Sequence, residues 1–225
     1  MPKTIVVTGA SRGIGFQITE QAVAAGHQVI ALSRNCSALE NIEGIFSIPI
    51  DLSQEAQVKA AGETIQKQFP KIDALINNAG TLEVVPFAES SFSVFEKTYA
   101  VNVFGVAELT RVLLPLLTSK GHVVNISSMG GVQGSTKFPG LAAYSSSKGA
   151  LITLTELLAE EYKETGPAFN VLALGAVQTE MLATAFPGFE APVQADEMAA
   201  YILEFSLTGQ RFYNGKLLPV AVGTP

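Results

Sequence analysis

The sequence predicts an α/β protein: a doubly wound, mostly parallel sheet of seven strands with helices on both faces. Three observations predict it. Short β-branched runs alternate with helix-spaced apolar segments along the whole chain, which is the pattern of a parallel sheet rather than of segregated strands and helices. A glycine-rich turn lies between the first strand-like run and the first helical one. The chain has 225 residues, 48% of them apolar and 15% charged. That is enough for one sizeable core and too few for two independent domains, so residues 1–225 read as a single domain.

Lys3–Thr8 is a β-branched run and reads as a buried strand. Gly9-Ala10-Ser11-Arg12-Gly13-Ile14-Gly15 follows, and Phe16–Ala25 reads as a helix ended by Gly26. Strand, glycine turn and helix are the context a phosphate-binding turn requires, because glycine admits positive φ and the helix N-terminus faces an anion. The spacing is G-x-x-x-G-x-G, neither G-x-G-x-x-G nor a P-loop. A purely structural turn is the competing reading; the placement favours a dinucleotide. His27–Leu32 is a second strand, ending in Ser33-Arg34-Asn35. An acid here would bind the ribose 2′-hydroxyl of NAD. None is present, since Glu20 comes too early and Glu40 too late. Arg34 and Arg12 suit a 2′-phosphate instead, so NADP(H) is expected over NAD(H), the alternative being two solvated arginines.

Ile45–Ile50 is a third strand closed by Asp51, with Pro49 placing it at an edge or end of the sheet. Ser53 is a candidate cap for a helix running to about Phe69. Ile72–Ile76 is a fourth strand leading into Asn77-Asn78-Ala79-Gly80, either an ordinary turn or a bed beneath a ligand. The apolar loop Thr81–Ser91 either lines a substrate site or folds onto the core. A long helix spans about Ser93–Leu117, its stripe of Val101, Gly105, Leu109, Val112 and Leu116 reading as core or subunit contact. Asn102, beside that stripe, is a poor helix former and invites a reason. Gly121–Ile126 is a fifth strand delivering Ser127 and Ser128, and a glycine-rich segment runs from Met129 to Gly140. A helix with Leu151, Leu154, Leu158 and Tyr162 on one face extends to about Lys163, and Ala168–Leu174 is the sixth strand.

Near the start of that helix, Tyr144-Ser-Ser-Ser-Lys148 places a phenol and an amine one helical turn apart. A phenol ionises near pH ~10, and a neighbouring ammonium lowers that value. The pair is suited to moving a proton to or from a carbonyl or alcohol oxygen. Taken alone, the pentapeptide equally describes a surface pair.

The ordered set Thr8-Gly9-x-x-x-Gly13-Ile14-Gly15, Asn77-Asn78-Ala79-Gly80, Asn102-Val103-x-Gly105, Ile126-Ser127-Ser128 and Tyr144-x-x-x-Lys148 resembles the short-chain dehydrogenase/reductase superfamily in its compact single-domain branch. The resemblance covers nearly the whole chain and implies a Rossmann-type fold and an NADP(H)-dependent reduction of a carbonyl to an alcohol, reversible in principle. It implies that Tyr144 is the proton donor and that Lys148 holds the nicotinamide ribose and lowers the tyrosine's pKa. Ser128 would bind the substrate oxygen, with Ser127 the competing choice, and Asn102 would position a water in the proton relay. It further implies cofactor contacts from Gly9, Ser11, Arg12, Gly13, Ile14 and Gly15, from Ser33, Arg34 and Asn35, and from Asp51 and Leu52. Asn78, Ala79, Gly80, Tyr144, Lys148, Val177 and Thr179 complete that set. A homodimer or homotetramer joined through the two long helices is implied too. The rival is an NADP(H)-sensing protein without turnover.

Four departures from the family pattern stand out. The gap between Ser128 and Tyr144 is long, with Lys137-Phe138-Pro139 as an apparent insertion. Leu174-Gly175 replaces a Pro-Gly pair, Glu180–Gln194 is short for a lid, and the final strand, Asn214–Val222, lacks an Asp-Gly-Gly finish. Phe138, Leu141, Met181, Phe186 and Phe189 are candidates for an apolar pocket and equally for core.

The net charge of −6, with no basic block, argues against nucleic acid or an anionic membrane as partner. No cluster has metal-ligand spacing, so no metal is expected. His27 and His122 fall at strand starts, away from the ligand edge. Cys36 is the only cysteine, which excludes an internal disulfide; with no signal-like leader or bilayer-length apolar run, a cytoplasmic protein is expected.

Overall fold

Along β1 (Thr4–Thr8), successive side chains point to opposite faces, and both faces are buried: Ile5 and Val7 on one, Val6 on the other. A strand covered on both sides needs helices above and below it, and the chain supplies them in alternation. The computed structural model describes residues 1–40 and 42–222. After β1 come α1 (Gly13–Ala24), β2 (Gln28–Ser33), β3 (Ile45–Pro49), α2 (Glu55–Gln68) and β4 (Ile72–Asn77). Next are α3 (Phe92–Tyr99), α4 (Val106–Leu113), β5 (Leu117–Ser128), α5 (Ala142–Glu161) and β6 (Ala168–Leu174). The chain closes with β7 (Val177–Gln178), α6 (Glu180–Ala185), β8 (Val193–Gln194), α7 (Ala195–Thr208) and β9 (Lys216–Val220).

Seven strands form one sheet in the order β3-β2-β1-β4-β5-β6-β9, with every pairing parallel. This is the Rossmann-type α/β architecture. β7 and β8 make a separate short pair. Ile18 and Ala22 of α1 and Met198, Ala199 and Ile202 of α7 cover one face. Val58 and Ile65 of α2, Leu109 and Leu113 of α4 and Ala159 of α5 cover the other. Pro49 ends the edge strand β3, where a missing N–H costs no ladder bond. Strand order reverses between β1 and β4, and that reversal opens a crevice at the carboxyl ends of the strands.

Three expectations need correction. The helix from Phe92 to Leu116 is continuous but irregular. Between α3 and α4 the residues Ala100–Gly105 form a wide π-type turn, and Leu114–Leu116 a tight one. β5 starts at Leu117, opposite Ile72, rather than at Gly121, with a register shift before Ala74 pairs with His122. Ser53 does not cap α2; its N–H and Oγ donate to Asp51 Oδ1 at 2.9 and 2.8 Å, and Gln54 is the boundary residue. By length and composition the 92–116 helix could cross a bilayer; here Leu109 and Leu113 fill the core beneath the sheet.

A buried polar chain ties α4 and α5 to the sheet. Asn77 Nδ2 donates to Asn125 Oδ1 at 2.8 Å and to Thr110 Oγ1 at 3.2 Å, and Asn125 Nδ2 donates to Thr155 Oγ1 at 2.8 Å. Gly105 lets the irregular helix touch the loop after β3, because a β-carbon there would lie 2.3 Å from the Leu52 carbonyl oxygen. Gly105→Ala should therefore lower unfolding free energy by about 1–3 kcal/mol, as overpacking does. Urea unfolding checks this, and an unchanged midpoint would contradict the close approach.

Candidate active site

The ends of β1, β4 and β5 and the start of α5 meet at the crevice. Thr8 fastens two of its turns together: Oγ1 accepts from the Ala79 N–H at 2.9 Å, and its carbonyl accepts from Asn78 Nδ2 at 3.1 Å. Gly9 and Gly13 have φ of +68° and +54°, a region that side-chained residues rarely occupy. A β-carbon on Gly15 would sit 2.3 Å from the Gly9 carbonyl oxygen. Glycine at these positions lets the N–H groups at the start of α1 face the crevice, where an anion is favoured.

Two adjoining cavities open there. The larger, about 580 Å³, is bordered by Ser11, Ser33, Arg34, Asn35, Asp51 and Leu52. The smaller, about 230 Å³, is bordered by Gly13, Ile14, Asn78, Ser128, Tyr144, Lys148, Val177 and Thr179. Gly9, Arg12, Ala79 and Gly80 border both. The expected cofactor contacts thus gather on one continuous surface, except Gly15, which lies under the turn and packs it. The residues present fit a dinucleotide: glycine at the close approaches, a helix N-terminus for phosphate, and polar side chains around the larger cavity.

Both arginines border the larger cavity but differ in their partners. Arg12 Nη1 donates to Glu180 Oε2 at 3.1 Å, joining the glycine turn to the first residue of α6. Arg34 is exposed at the end of β2, beside the Ser11 and Ser33 hydroxyls, which lie 2.7 Å apart. Among the described residues it has no carboxylate partner within ion-pair distance.

Tyr144 and Lys148 share a face of α5. The Lys148 ammonium is 5.8 Å from the Tyr144 ring centroid and donates to the Ile126 carbonyl at 2.7 Å. Lys148 is 4% exposed, and desolvation lowers its pKa to about 8. In this geometry Lys148 is not among the groups that shift the phenol. Burial pushes Tyr144 up, and the nearby Ser128 hydroxyl pulls the other way. The phenol therefore keeps its proton at neutral pH.

Ser127 and Ser128 point different ways, as successive strand residues must. Ser127 is buried and donates to the Lys148 carbonyl at 2.9 Å. Ser128 accepts from the Gly130 N–H at 3.3 Å, and both serines border the smaller cavity with Tyr144. Asn102 lies behind the wall rather than on it. Its Nδ2 donates to the Thr81 carbonyl and to Ser147 Oγ, both at 3.0 Å, and its Oδ1 accepts from the Thr81 N–H at 2.8 Å. With both amide hydrogens engaged, the side chain is a strut between the loop after β4 and α5.

Phe138, Leu141, Met181 and Phe186 line the smaller cavity, and Phe189 does not. Leu82, Leu182 and Ala185 also line it, and Lys97 and Val101 border the larger one. Sequence reasoning assigned no role to Leu182, Ala185, Lys97 or Ser147. The apolar spacing of α6 was a signal for the first two; nothing local marked the others. His122 is at the opposite end of the sheet. Its Nδ1–H donates to the Ser206 carbonyl and Nε2 accepts from Asn170, while burial lowers its pKa to about 4.

Residues 3–188 match the family model described as short chain dehydrogenase. Among curated proteins, 2-(R)-hydroxypropyl-CoM dehydrogenase of Xanthobacter autotrophicus is 34% identical over 195 residues, covering 80% of this chain and 77% of that one. A 3-ketoacyl-(acyl-carrier-protein) reductase of Brucella melitensis, solved with NADH, superposes with a TM-score of 0.88 at 25% identity, over 98% of this chain and 97% of that one. A short chain dehydrogenase of Burkholderia cenocepacia in complex with NADP superposes at 0.87 with 25% identity, over 99% and 97%.

Burying Lys148 has a measurable cost. Below about pH 8 the charged amine carries its full desolvation penalty, roughly 3 kcal/mol for a shift from 10.5 to about 8. As pH rises from there towards 10.5, the folded protein releases the proton before the unfolded chain does, and the penalty fades. Lys148→Met should accordingly raise unfolding free energy by about 1–3 kcal/mol at neutral pH, net of the lost bond to Ile126. The gain should shrink towards pH 10. Denaturant titrations at the two pH values check both statements.

Proposed function

Since this chain belongs to the short-chain dehydrogenase/reductase family and is an oxidoreductase acting on CH–OH/C=O groups, we propose that it reduces a carbonyl to an alcohol with NADPH. The observation that carries this reading is that Ser128, Tyr144 and Lys148 border the same small cavity, with Tyr144 and Lys148 one turn apart on α5. When bound, the reduced nicotinamide supplies the hydride to the carbonyl carbon and is itself oxidised. Ser128 donates to the carbonyl oxygen and fixes its position. Tyr144 gives its phenolic proton to that oxygen as the C=O π pair collects there. Lys148 would hold the ribose on the nicotinamide side, and its ammonium would favour the phenolate left on Tyr144. Asn102 acts by position: it holds the Thr81 backbone and Ser147, next to Lys148.

Preference for NADPH rests on the end of β2. Ser33, Arg34 and Asn35 there include no carboxylate to receive a ribose 2′-hydroxyl, and Ser11, Ser33 and Arg34 are grouped around the same groove, with Asp51 across from them at the end of β3. Arg34 is the main charge for a 2′-phosphate, because Arg12 is held by Glu180. Self-association belongs to the same reading, supported by the exposed Phe92, Phe104 and Leu157 on the two long helices.

Tyr144→Phe should abolish cofactor oxidation with any carbonyl substrate while leaving the NADPH dissociation constant nearly unchanged. Steady-state assay and fluorescence titration separate the two, and substantial residual turnover would remove Tyr144 as proton donor. Arg34→Ala should weaken NADPH by about 1–3 kcal/mol, the scale of a charge-assisted hydrogen bond, and leave NADH little changed. Equal weakening of both would contradict the cofactor assignment.

A further inference from the structure

The smaller cavity has a roof as well as a reacting floor. Phe138, in the long segment between β5 and α5, packs edge-on against Phe186, just beyond α6, with ring centroids 5.5 Å apart and planes at 73°. Both line the cavity, as do Leu82, Leu141 and Met181. The roof is fastened at its edges. Thr179 Oγ1 accepts from the Leu182 N–H at 3.2 Å and caps α6, and the Val85 N–H donates to the Gly140 carbonyl at 2.9 Å, joining the two loops.

The cations at this chamber, Arg12 and Lys148 on its wall and Lys137 on its roof loop, already have partners. Arg12 is paired with Glu180 at the mouth. Lys137 folds back on its own loop, donating to the Val132 carbonyl and to Ser135 Oγ. Lys148 faces Ile126 and the tyrosine ring. An anionic substituent on the substrate would thus have to displace one of these partners or sit among apolar side chains, and either is unfavourable, on a chain whose net charge is already −6. Space is restricted too. The chamber's 230 Å³ must take the reacting end of the cofactor along with the substrate, and it is smaller than the roughly 300–1,000 Å³ pockets that enclose drug-sized ligands.

We propose that the substrate is a small, uncharged, apolar ketone or aldehyde, about one ring or a short branched chain in size, held beneath the Phe138–Phe186 pair, and that anionic carbonyl compounds are excluded. This rests on the reading of the site given under Proposed function, and two measurements keep the two apart. In the first, wild-type protein with NADPH is assayed against acetophenone and 2-methylcyclohexanone and against the carboxylates benzoylformate and levulinate. The neutral ketones should have kcat/KM at least tenfold higher. Phe186→Ala should lower kcat/KM for acetophenone about tenfold and change the NADPH dissociation constant less than twofold. Equal or better turnover of the carboxylates, or an unaffected Phe186→Ala variant, would overturn the proposal. In the second, the same four compounds are titrated into the Tyr144→Phe variant with bound NADPH, read by the coenzyme's fluorescence. Binding of the neutral pair alone supports the proposal; if wild type then turns over neither, the reductase reading fails and the pocket assignment stands. Failure of both neutral ketones to bind would overturn the pocket assignment itself.

Discussion

A lysine ammonium held out of water at the floor of a crevice is the constraint on which this structure turns. Lys148 is nearly fully buried and has one hydrogen-bond acceptor, the Ile126 carbonyl. Its neighbourhood is arranged to keep it there. Ser127 bonds its carbonyl from β5, and Gly131 packs so tightly against its backbone that a β-carbon would lie 2.7 Å from the Lys148 carbonyl carbon. Asn102 and the adjacent Ser147 brace it from the irregular helix. A buried charge with one neutral partner is unfavourable for folding, and it persists because the parallel sheet and its two helical layers outweigh it. The same desolvation leaves the amine ready to be stabilised by a ligand that supplies further acceptors.

The sheet explains why these groups meet. All seven strands run the same way, so every strand end that carries chemistry faces one edge. β1 brings the glycine turn, β4 the Asn78–Gly80 turn, and β5 Ser128. α5 then adds the phenol and amine from above. The common direction of the strands does the gathering; the individual motifs only decorate their ends.

This gathering is why so much was legible in the sequence. Strand and helix alternation, the glycine turn, and the four-residue spacing of Tyr144 and Lys148 are local patterns, and each lies where the pattern put it. Partners distant in sequence were not legible. No local signal says that Arg12 reaches 168 residues along to Glu180, or that Asn102 is committed to Thr81 and Ser147. The wide turn at Ala100–Gly105 is invisible to helical periodicity, because its apolar stripe stays in phase closely enough to pass for a regular helix. Ser127 and Ser128 could be separated only once β5 had a register, since a strand's alternation has meaning only relative to its neighbours. Burial adds what a four-residue spacing does not carry: desolvation raises Tyr144 while lowering Lys148.

The division of labour between the two cavities follows from the same geometry. The larger is polar and bordered by the ends of β2 and β3; the smaller is mostly apolar and roofed by Phe138 and Phe186. The most direct test of the account is the titration of Lys148 itself. In protein labelled with ¹³C at lysine Cε, the Lys148 signal, assigned by its loss in Lys148→Met, should titrate near pH 8 in the absence of cofactor. A midpoint near the ordinary lysine value of ~10.4 would mean that the amine is solvated, and that the crevice floor described here is not the one the protein has in solution.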